Sequence, residues 1–338
     1  MKKTFHGADV NELMNIRGRR GYGVSLALAK GDELETFCSG SGRFGQDFPV
    51  NPDMLFQAAS ISKPMFAMTL LRYVDKGLLD LDADISGIVA EFARGPLTFS
   101  ALLSHTAGFN VHGFPGYRAD HAPLTLEDVL AGRGNTPRVR RIKPYGKQQM
   151  YSGGGITLAE LAFTRLTGTT PREAFAKELA GPLGLTRTGF FQPLDEDLVS
   201  NAAFGGRLAL REDPAHGYHY YPEHASAGMW TTPAELTKLG LALSRSVREG
   251  GILKQETARR MVTPVLDSYG LCIGQDDHIP DQVCHTGGNE GFMAYWTLSL
   301  TEDLCVAAMT NGSNRVNDAV GEKFFGFVDE LVEREKRG

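Results

Sequence analysis

The chain has 338 residues, of which 42% are hydrophobic and 22% are charged, and its formal net charge at pH 7 is -5. These values are typical of a globular protein and exclude a disordered, collagen-like or coiled-coil chain. A weakly acidic chain lacks the positive field that attracts nucleic acid or an anionic membrane, so we expect neither as a partner. At roughly 150 residues per domain, the length predicts about two structural units.

The four cysteines are scattered without the spacing of a metal site or a disulfide framework. We therefore expect buried, reduced thiols and no metal. The basic residues at the amino terminus are followed by no apolar run of the kind that a secretory signal needs. No stretch reaches the roughly 20 apolar residues that span a bilayer, so the sequence predicts a cytoplasmic protein.

Hydrophobic patterns predict strands near the start of the chain and helices after them. Residues 23–29 and 35–38 form two predicted strands joined by a turn at residues 30–32. Residues 55–74 carry apolar side chains at helical spacing and end near Gly77. Shorter helical patterns lie at residues 126–130, 156–166 and 171–179. Thr232-Pro233-Ala234-Glu235 predicts the start of another helix, capped by a capping box.

The last third of the chain returns to strands. Residues 292–300 and 304–309 form a predicted hairpin, and residues 317–336 form an amphipathic closing helix. Strands at both ends predict an α+β fold, in which one antiparallel sheet is flanked by helices and carries a large helical insertion. Residues 1–80 and 225–338 would build the sheet lobe and residues 81–224 the helical lobe, with the site between them.

The segment Ser60-Ile61-Ser62-Lys63 opens the first long helical pattern. Residues i and i+3 share one face of a helix, so Ser60 Oγ and the Lys63 amine can meet. The partial positive charge of a helix N-terminus favours a neutral amine, which can accept the serine proton. Taken alone, the same pattern also describes a capping serine followed by a solvated lysine.

Two later segments change this interpretation. Tyr151-Ser152-Gly153 precedes a helical pattern, and His285-Thr286-Gly287-Gly288 precedes a predicted strand. In this order the three segments resemble the active-site motifs of the serine β-lactamase and penicillin-binding-protein superfamily. The resemblance is strongest to its class C β-lactamase branch, which includes esterases, D-aminopeptidases and CubicO-type hydrolases. Residues 102–108, 221–223 and 227–232 also resemble that branch.

The resemblance implies a role for each matching residue. Ser60 would be the acylated nucleophile, and Lys63 would assist its deprotonation. Tyr151 would be a phenolate-like base and proton shuttle, with its pKa lowered by the nearby ammonium. Backbone N–H groups of Ser60 and Gly288 would form the oxyanion hole. Substrate-binding residues would include His285, Thr286, Gly287 and Gly153.

Two residues depart from the pattern of the family. Gly153 stands where β-lactamases and D,D-peptidases have the asparagine of Tyr-Ser-Asn, so the chain lacks the carboxamide that binds the amide of the substrate. His285 stands where β-lactamases have lysine, and a histidine is not permanently charged. Both departures weaken an antibiotic-hydrolase interpretation and leave the acylation of Ser60 intact.

Weaker patterns favour structural interpretations. Residues 40–45 match G-x-G-x-x-G, but the proline-broken segment after them predicts a turn and no dinucleotide cofactor. Residues 216–224 are rich in histidine and tyrosine without zinc-helix spacing, so we expect a loop that lines the cleft. We expect a structural role for His105 and a solvated loop at the basic residues 138–143. Tyr117 and Trp230 suit either the core or the apolar wall of an acyl site, and we place Tyr117 among the substrate-binding residues.

Together these features predict a serine hydrolase that forms an acyl-enzyme on Ser60. The activity that we expect first is that of a carboxylesterase acting on small esters or amides. A D-aminopeptidase, a D,D-carboxypeptidase-like amidase or a weak β-lactamase would use the same chemistry. A non-catalytic β-lactam-binding or sensor protein is the second alternative, and a metal hydrolase built on residues 216–224 is the third. The sequence leaves open the natural substrate, the oligomeric state and the choice of Lys63 or Tyr151 as the base.

Overall fold

An antiparallel sheet joins the two ends of the chain in this computed structural model. The structure describes residues 4–9, 22–43, 46–118, 121–122, 124–205, 217–276, 279, 281–312 and 319–337. Its strands are β1 Thr4–Phe5, β2 Ala8–Asp9, β3 Val24–Lys30, β4 Glu33–Ser39, β5 Phe56–Gln57, β6 Trp230–Thr231, β7 Gly274–Gln275, β8 Gln282–Asn289, β9 Phe292–Ser299 and β10 Leu304–Thr310. The six-stranded sheet has the order β4-β3-β10-β9-β8-β7, so its central pair comes from opposite ends of the sequence. The predicted α+β fold is confirmed.

Helices fill the sequence between the two halves of the sheet and cover both of its faces. They are Ser62–Asp75, Phe99–Leu103, Leu126–Leu130, Gly153–Thr167, Pro171–Phe175, Gly181–Leu183, Glu196–Val199, His224–Ala227, Pro233–Glu249, Gln255–Val262 and Ala319–Arg337. Two 3-10 turns, Ala59–Ile61 and Ser86–Val89, and a π turn, Ala176–Ala180, complete the helical segments of the described chain.

Two apolar clusters lie on opposite faces of the sheet. On one face, Leu26 and Val306 pack with Phe327 and Leu331 of the closing helix. The larger cluster on the other face includes residues of the helices Ser62–Asp75, Gly153–Thr167 and Pro233–Glu249. Because side chains alternate across a strand, β9 and β10 contribute to both clusters and are buried along their whole length.

The helix predicted at residues 55–74 begins later than its apolar pattern indicates. Phe56–Gln57 is a strand paired with Trp230–Thr231, and the helix itself covers Ser62–Asp75. The apolar pattern therefore extends beyond the helix, because pairing with a distant segment determines the structure of residues 56 and 57. This pairing also places the Ala59–Ile61 turn at the end of a strand.

Only one of the two hydrogen bonds of the predicted capping box is formed at Thr232. Thr232 Oγ1 accepts a hydrogen bond from Glu235 N at 3.2 Å. The Glu235 carboxylate does not return to the cap but accepts bonds from Arg187 N at 3.0 Å and Thr188 Oγ1 at 2.6 Å. The buried carboxylate thus ties the helix Pro233–Glu249 to the preceding lobe.

Several predictions extend to positions outside the described residues. The closing helix, predicted at residues 317–336, is observed over Ala319–Arg337, and residues 317 and 318 lie outside the residues that the structure describes. The same holds for residues 44, 45 and 216 of the glycine-rich and histidine-rich segments. Within the described ranges, no helix is both long enough and apolar enough to cross a membrane.

Candidate active site

Ser60 lies in the 3-10 turn Ala59–Ile61, between strand β5 and the helix Ser62–Asp75. Ala59 has a φ of +51°, in the left-handed region that disfavours residues other than glycine. Ser62 secures this turn, because its Oγ donates to Ala59 O at 2.5 Å and accepts from Met229 N at 2.9 Å. Ser60 is half-buried, whereas its two neighbours are fully buried.

Lys63 lies one helical turn further on and is 1% exposed. Its Nζ donates to Ser60 Oγ at 2.9 Å and to Ser226 O at 2.8 Å. Burial lowers the pKa of Lys63 to about 7, since the ammonium loses its hydration. The structure therefore brings the two side chains together, and desolvation is the main reason why the amine can be neutral.

The ring of Tyr151 faces Lys63, whose Nζ is 5.0 Å from the centroid of the phenol ring. Burial raises the pKa of Tyr151 above its usual value, and a hydrogen bond with Ser60 opposes that rise. The expectation of a lowered Tyr151 pKa is therefore wrong in direction. The physical reason is that loss of water around the hydroxyl outweighs its favourable contacts, so Tyr151 is a phenol.

Among the described residues, four aromatic rings surround Tyr151. Their centroids lie 4.4 Å away for His105, 4.8 Å for His112, 6.4 Å for Tyr269 and 6.1 Å for His285. Burial and the charge of Lys63 lower the pKa of both His105 and His112. These neighbours form a weakly polar cage of neutral rings around the phenol.

His105 supports the backbone at the beginning of the helix Gly153–Thr167. Its Nδ1 accepts a hydrogen bond from Ser152 N at 3.2 Å, which agrees with the structural role expected for this residue. The sequence motifs do not indicate that His112 or Tyr269 lies at the site. No local signal could have found them, because each is separated from Tyr151 by a long stretch of chain.

His285 lies on β8 and is buried. Its Nδ1 donates to Thr286 O at 2.6 Å, while Nε2 is buried without a hydrogen-bond partner. Burial and the charge of Lys63 lower the pKa of His285 to about 3. A neutral imidazole therefore occupies this position, and it supplies no cation for a substrate carboxylate.

Strand β8 passes very close to the turn that carries Ser60. A Cβ added at Gly287 would lie 2.2 Å from Ala58 O, so only glycine fits there. Gly288 follows in the same strand, in register with Met293 of β9. Asn289 fixes the approach, because its Nδ2 donates to Gln57 Oε1 at 2.9 Å and to Ala227 O at 3.0 Å. The strand thus brings Thr286, Gly287 and Gly288 beside the serine turn.

The space beside Gly153 is already filled. A Cβ at this position would lie 2.9 Å from the ring of Phe114 and 3.0 Å from His112 O. The backbone there is held by bonds from Gly153 N to His112 O at 3.1 Å and from Gly154 N to Val111 O at 3.0 Å. Val111 has a φ of +66°, an uncommon conformation for a β-branched residue. The absence of the asparagine is visible in the sequence, whereas the segment beside Gly153 is visible only in the folded structure.

Tyr117 is buried and supports a neighbouring loop. Its hydroxyl accepts a bond from Asn135 N at 3.1 Å, and its backbone pairs with Tyr220 at 2.9 and 2.8 Å. Of its contacts within the described chain, none is with Ser60 or Lys63. Trp230 packs on Tyr218 and Phe292, with ring centroids 5.0 and 5.7 Å apart, and belongs to the core.

The helical turn His224–Ala227 completes the surroundings of Lys63. Besides offering its carbonyl to Lys63, Ser226 donates from Oγ to Gly153 O at 2.8 Å. Of this turn, only His224 belongs to residues 216–224, which were expected to line the cleft, and the contact of Ser226 with the lysine had no sequence signal.

All four cysteines are free thiols. In the part of the chain that the structure describes, no three His, Cys, Asp or Glu side chains are grouped to hold a metal ion. His219, in the histidine-rich segment, donates from Nδ1 to Pro115 O at 2.9 Å.

Comparison with known proteins finds one family profile, described as Beta-lactamase, that matches residues 10–325. Penicillin-binding protein 4 of Amycolatopsis lactamdurans is 24% identical over 86% of this chain and 81% of its own. Lovastatin esterase of Penicillium rubens is 28% identical over 64% of this chain and 61% of its own. Esterase EstB of Burkholderia gladioli is 37% identical over 52% of this chain and 48% of its own. The chain thus spans less than two thirds of either esterase.

Solved structures share the fold at low identity. D-amino acid amidase from Ochrobactrum anthropi SV3 superposes with a TM-score of 0.79, at 20% identity, over 97% of this chain and 98% of that chain. A penicillin-binding protein homologue from Pyrococcus abyssi gives a TM-score of 0.75, at 19% identity, over 96% of this chain and 76% of that chain.

Proposed function

Because this chain belongs to the beta-lactamase family, we propose that it is a serine hydrolase that forms an acyl-enzyme on Ser60. Its main reaction is the hydrolysis of small carboxylic esters, with related amides as further substrates. The observation that carries the proposal is the 2.9 Å hydrogen bond between Lys63 Nζ and Ser60 Oγ. With a pKa of about 7, the buried amine offers a lone pair to the serine proton near neutrality.

Acylation begins when neutral Lys63 accepts the Ser60 proton and Oγ attacks the carbonyl carbon of the ester. The electron pair of the carbonyl moves to its oxygen, which the N–H groups of Ser60 and Gly288 would bind. Each such donor contributes about 3–4 kcal/mol to the stability of the transition state. The tetrahedral intermediate then expels the alkoxide and leaves an ester on Ser60.

Tyr151 is suited to pass a proton to the leaving group. Because its pKa is raised, it holds a proton that it can donate to the departing oxygen and regain from the Lys63 ammonium. In deacylation, neutral Lys63 accepts a proton from water as the water oxygen attacks the acyl carbon, and it returns this proton to Ser60 Oγ as the carboxylic acid leaves. The roles of acid and base are thus divided between a phenol and a buried amine.

Two features favour an ester over a β-lactam substrate. Neutral His285 offers no positive charge to a substrate carboxylate. Phe114 and the His112 carbonyl occupy the place of the amide-binding carboxamide. Two relatives named as esterases support the same choice of substrate.

An amidase is the second candidate. An amine leaves only after protonation, and the protonated Tyr151 supplies a suitable acid. The same acyl-enzyme would form on Ser60, so substrate comparison has to separate the two activities. A short-chain p-nitrophenyl ester, a D-alanine amide and a chromogenic cephalosporin serve this purpose, and we expect the ester to turn over fastest.

The proposed mechanism is tested by Ser60→Ala. We expect loss of ester turnover and loss of covalent labelling by a fluorophosphonate, with the label on Ser60 in the wild type by mass spectrometry. Ser200→Ala is the matched control, because Ser200 is exposed and follows the C-terminal end of the helix Glu196–Val199. Undiminished turnover in Ser60→Ala would refute the mechanism. Stable labelling of the wild type without ester turnover would favour the binding or sensor alternative.

A further inference from the structure

The second hydrogen-bond partner of Lys63 is a backbone carbonyl in a very short element. Ser226 O lies in the turn His224–Ala227, which has 4 residues. A single helical turn is not stable by itself. Other parts of the molecule must therefore hold this carbonyl against the amine.

One face of the helix Gly153–Thr167 supplies the anchors. Gly153 O accepts a bond from Ser226 Oγ at 2.8 Å, and Thr157 Oγ1 lies 3.3 Å from the same hydroxyl. Two turns along the helix, Glu160 Oε2 accepts a bond from Ala225 N at 2.8 Å. Positions i, i+4 and i+7 share a helix face, so the three anchors form one row beneath the turn.

Glu160 is an unusual member of this row, because it is a carboxyl group that is 1% exposed. Burial and the neighbouring Glu223 raise the pKa of Glu160 well above its usual value. His224 Nδ1 lies 4.0 Å from its other oxygen, and Glu223 is buried with neither carboxyl oxygen bonded to another residue. An apolar side chain could fill this space without desolvating a polar group, so packing alone does not explain a glutamate here.

We propose that Glu160 is a positioning residue for the reaction of Ser60. By accepting the Ala225 N–H it fixes the His224–Ala227 turn and so holds Ser226 O on Lys63 Nζ. One N–H of the amine is then committed to Ser226 O, which orients the amine toward Ser60 Oγ. This inference rests on the proposed function, because Glu160 acts through Lys63.

The test compares Glu160→Leu and Glu160→Gln by the rate of fluorophosphonate labelling at Ser60 across a range of pH. Glutamine keeps an oxygen for the Ala225 N–H, so we expect a rate and a pH profile close to those of the wild type. Leucine has no acceptor, and misplacement of the amine lowers the maximal rate roughly 10- to 100-fold. Because a carbonyl acceptor stabilises an ammonium, its loss also moves the acid limb of the profile to lower pH.

Two further variants separate positioning from general stability. Ser226→Ala removes the other anchor of the turn and should slow labelling in the same way. Glu178→Leu is the control, because Glu178 is also a buried carboxylate. It pairs with Arg72 and Lys76 at the C-terminal end of the helix Ser62–Asp75, whereas Lys63 lies at the N-terminal end of that helix. We expect Glu178→Leu to lose stability while the folded protein keeps the wild-type profile.

An unchanged maximal rate and acid limb in folded Glu160→Leu would overturn the proposal, and so would a Glu160→Gln variant as slow as Glu160→Leu. If Glu160→Leu does not fold, Ser226→Ala and Glu160→Gln decide the question: wild-type labelling in Ser226→Ala refutes the positioning role. A wild type that is not labelled at Ser60 refutes the proposed function itself and the inference with it.

Discussion

The protonation of individual residues in this site depends on burial more than on neighbouring charge. Desolvation is the largest cause of the pKa shifts of Lys63, Tyr151 and His285, and in each it disfavours the charged form. A buried site therefore contains a neutral base and a protonated acid near neutral pH, which is the combination that acyl transfer needs.

The buried lysine should reduce stability in a way that depends on pH. The unfolded chain keeps the lysine proton up to its usual pKa of 10.5, whereas the folded protein releases it at about 7. Between these values the unfolded state binds more protons, so the stability of the wild type rises with pH. Lys63→Met lacks this dependence. We therefore compare the free energy of unfolding of Lys63→Met minus that of the wild type. This difference should be more positive at about pH 6 than at about pH 9.5, because the wild type is less stable at the lower pH.

Urea unfolding at the two pH values measures this difference, and labelling of Ser60 should be lost at both. The pH-independent loss of the bonds to Ser60 and Ser226 cancels in the comparison. An equal stability difference at the two pH values would contradict a lowered Lys63 pKa.

Gly153 should not tolerate a side chain. In Gly153→Ala the new Cβ would meet Phe114 and the backbone carbonyl of His112, and relief requires movement of the segment around Val111. We expect a loss of about 1–3 kcal/mol in the free energy of unfolding by urea denaturation. Gly87→Ala is the matched control, since nothing lies within 4 Å of its added Cβ. Equal stability of the two variants would show that the space beside Gly153 opens freely.

At the scale of elements, the helix Pro233–Glu249 lies unusually close to the sheet. A Cβ at Gly240 would lie 2.3 Å from Cys305 Sγ and 3.0 Å from Trp296 Nε1. Trp296 Nε1 also donates to Leu236 O at 3.0 Å, one turn earlier in the helix. Glycine therefore permits a direct contact between helix backbone and strand side chains.

Two substitutions of helical glycines should have opposite effects. Gly240→Ala is expected to destabilise the protein by about 1–3 kcal/mol, because the methyl group collides with β10. Gly326→Ala, at an exposed position of the closing helix with nothing within 4 Å, is expected to stabilise it by about 0.5–1 kcal/mol. Thermal melting compares the two, and stabilisation by Gly240→Ala would contradict the close helix–sheet contact.

At the scale of the whole molecule, we propose that the sheet lobe and the helical lobe form one cooperative unit with the active site between them. The larger apolar cluster includes residues of both lobes. Phe163 of the helical lobe packs on Phe66 and Tyr73 of the sheet lobe, with ring centroids 5.6 and 5.0 Å apart. Separation of the lobes would expose this shared core.

The protein should therefore unfold in a single transition. Both tryptophans, Trp230 and Trp296, are buried in the sheet lobe and report on that lobe, whereas the far-ultraviolet circular dichroism reports on the helices of both lobes. In urea we expect tryptophan fluorescence and circular dichroism to change with the same midpoint. A partial loss of helical signal before the change in fluorescence would show that the lobes unfold independently.

The amino-acid sequence by itself determined the features that depend on local spacing. The i, i+3 placement of Ser60 and Lys63 follows from helix geometry, and the alternation of residues in β3, β9 and β10 follows from strand geometry. The order of the three motifs was sufficient to identify the family, because each motif is short and contiguous.

Only the tertiary structure decided which distant groups surround those motifs. The strand at residues 56 and 57, the Ser226 carbonyl on Lys63 and the Phe114 ring against Gly153 all come from contacts between remote segments. The direction of the Tyr151 pKa shift was wrong in the sequence-based prediction for the same reason. Desolvation depends on everything that packs around a group, and only the folded chain specifies that packing.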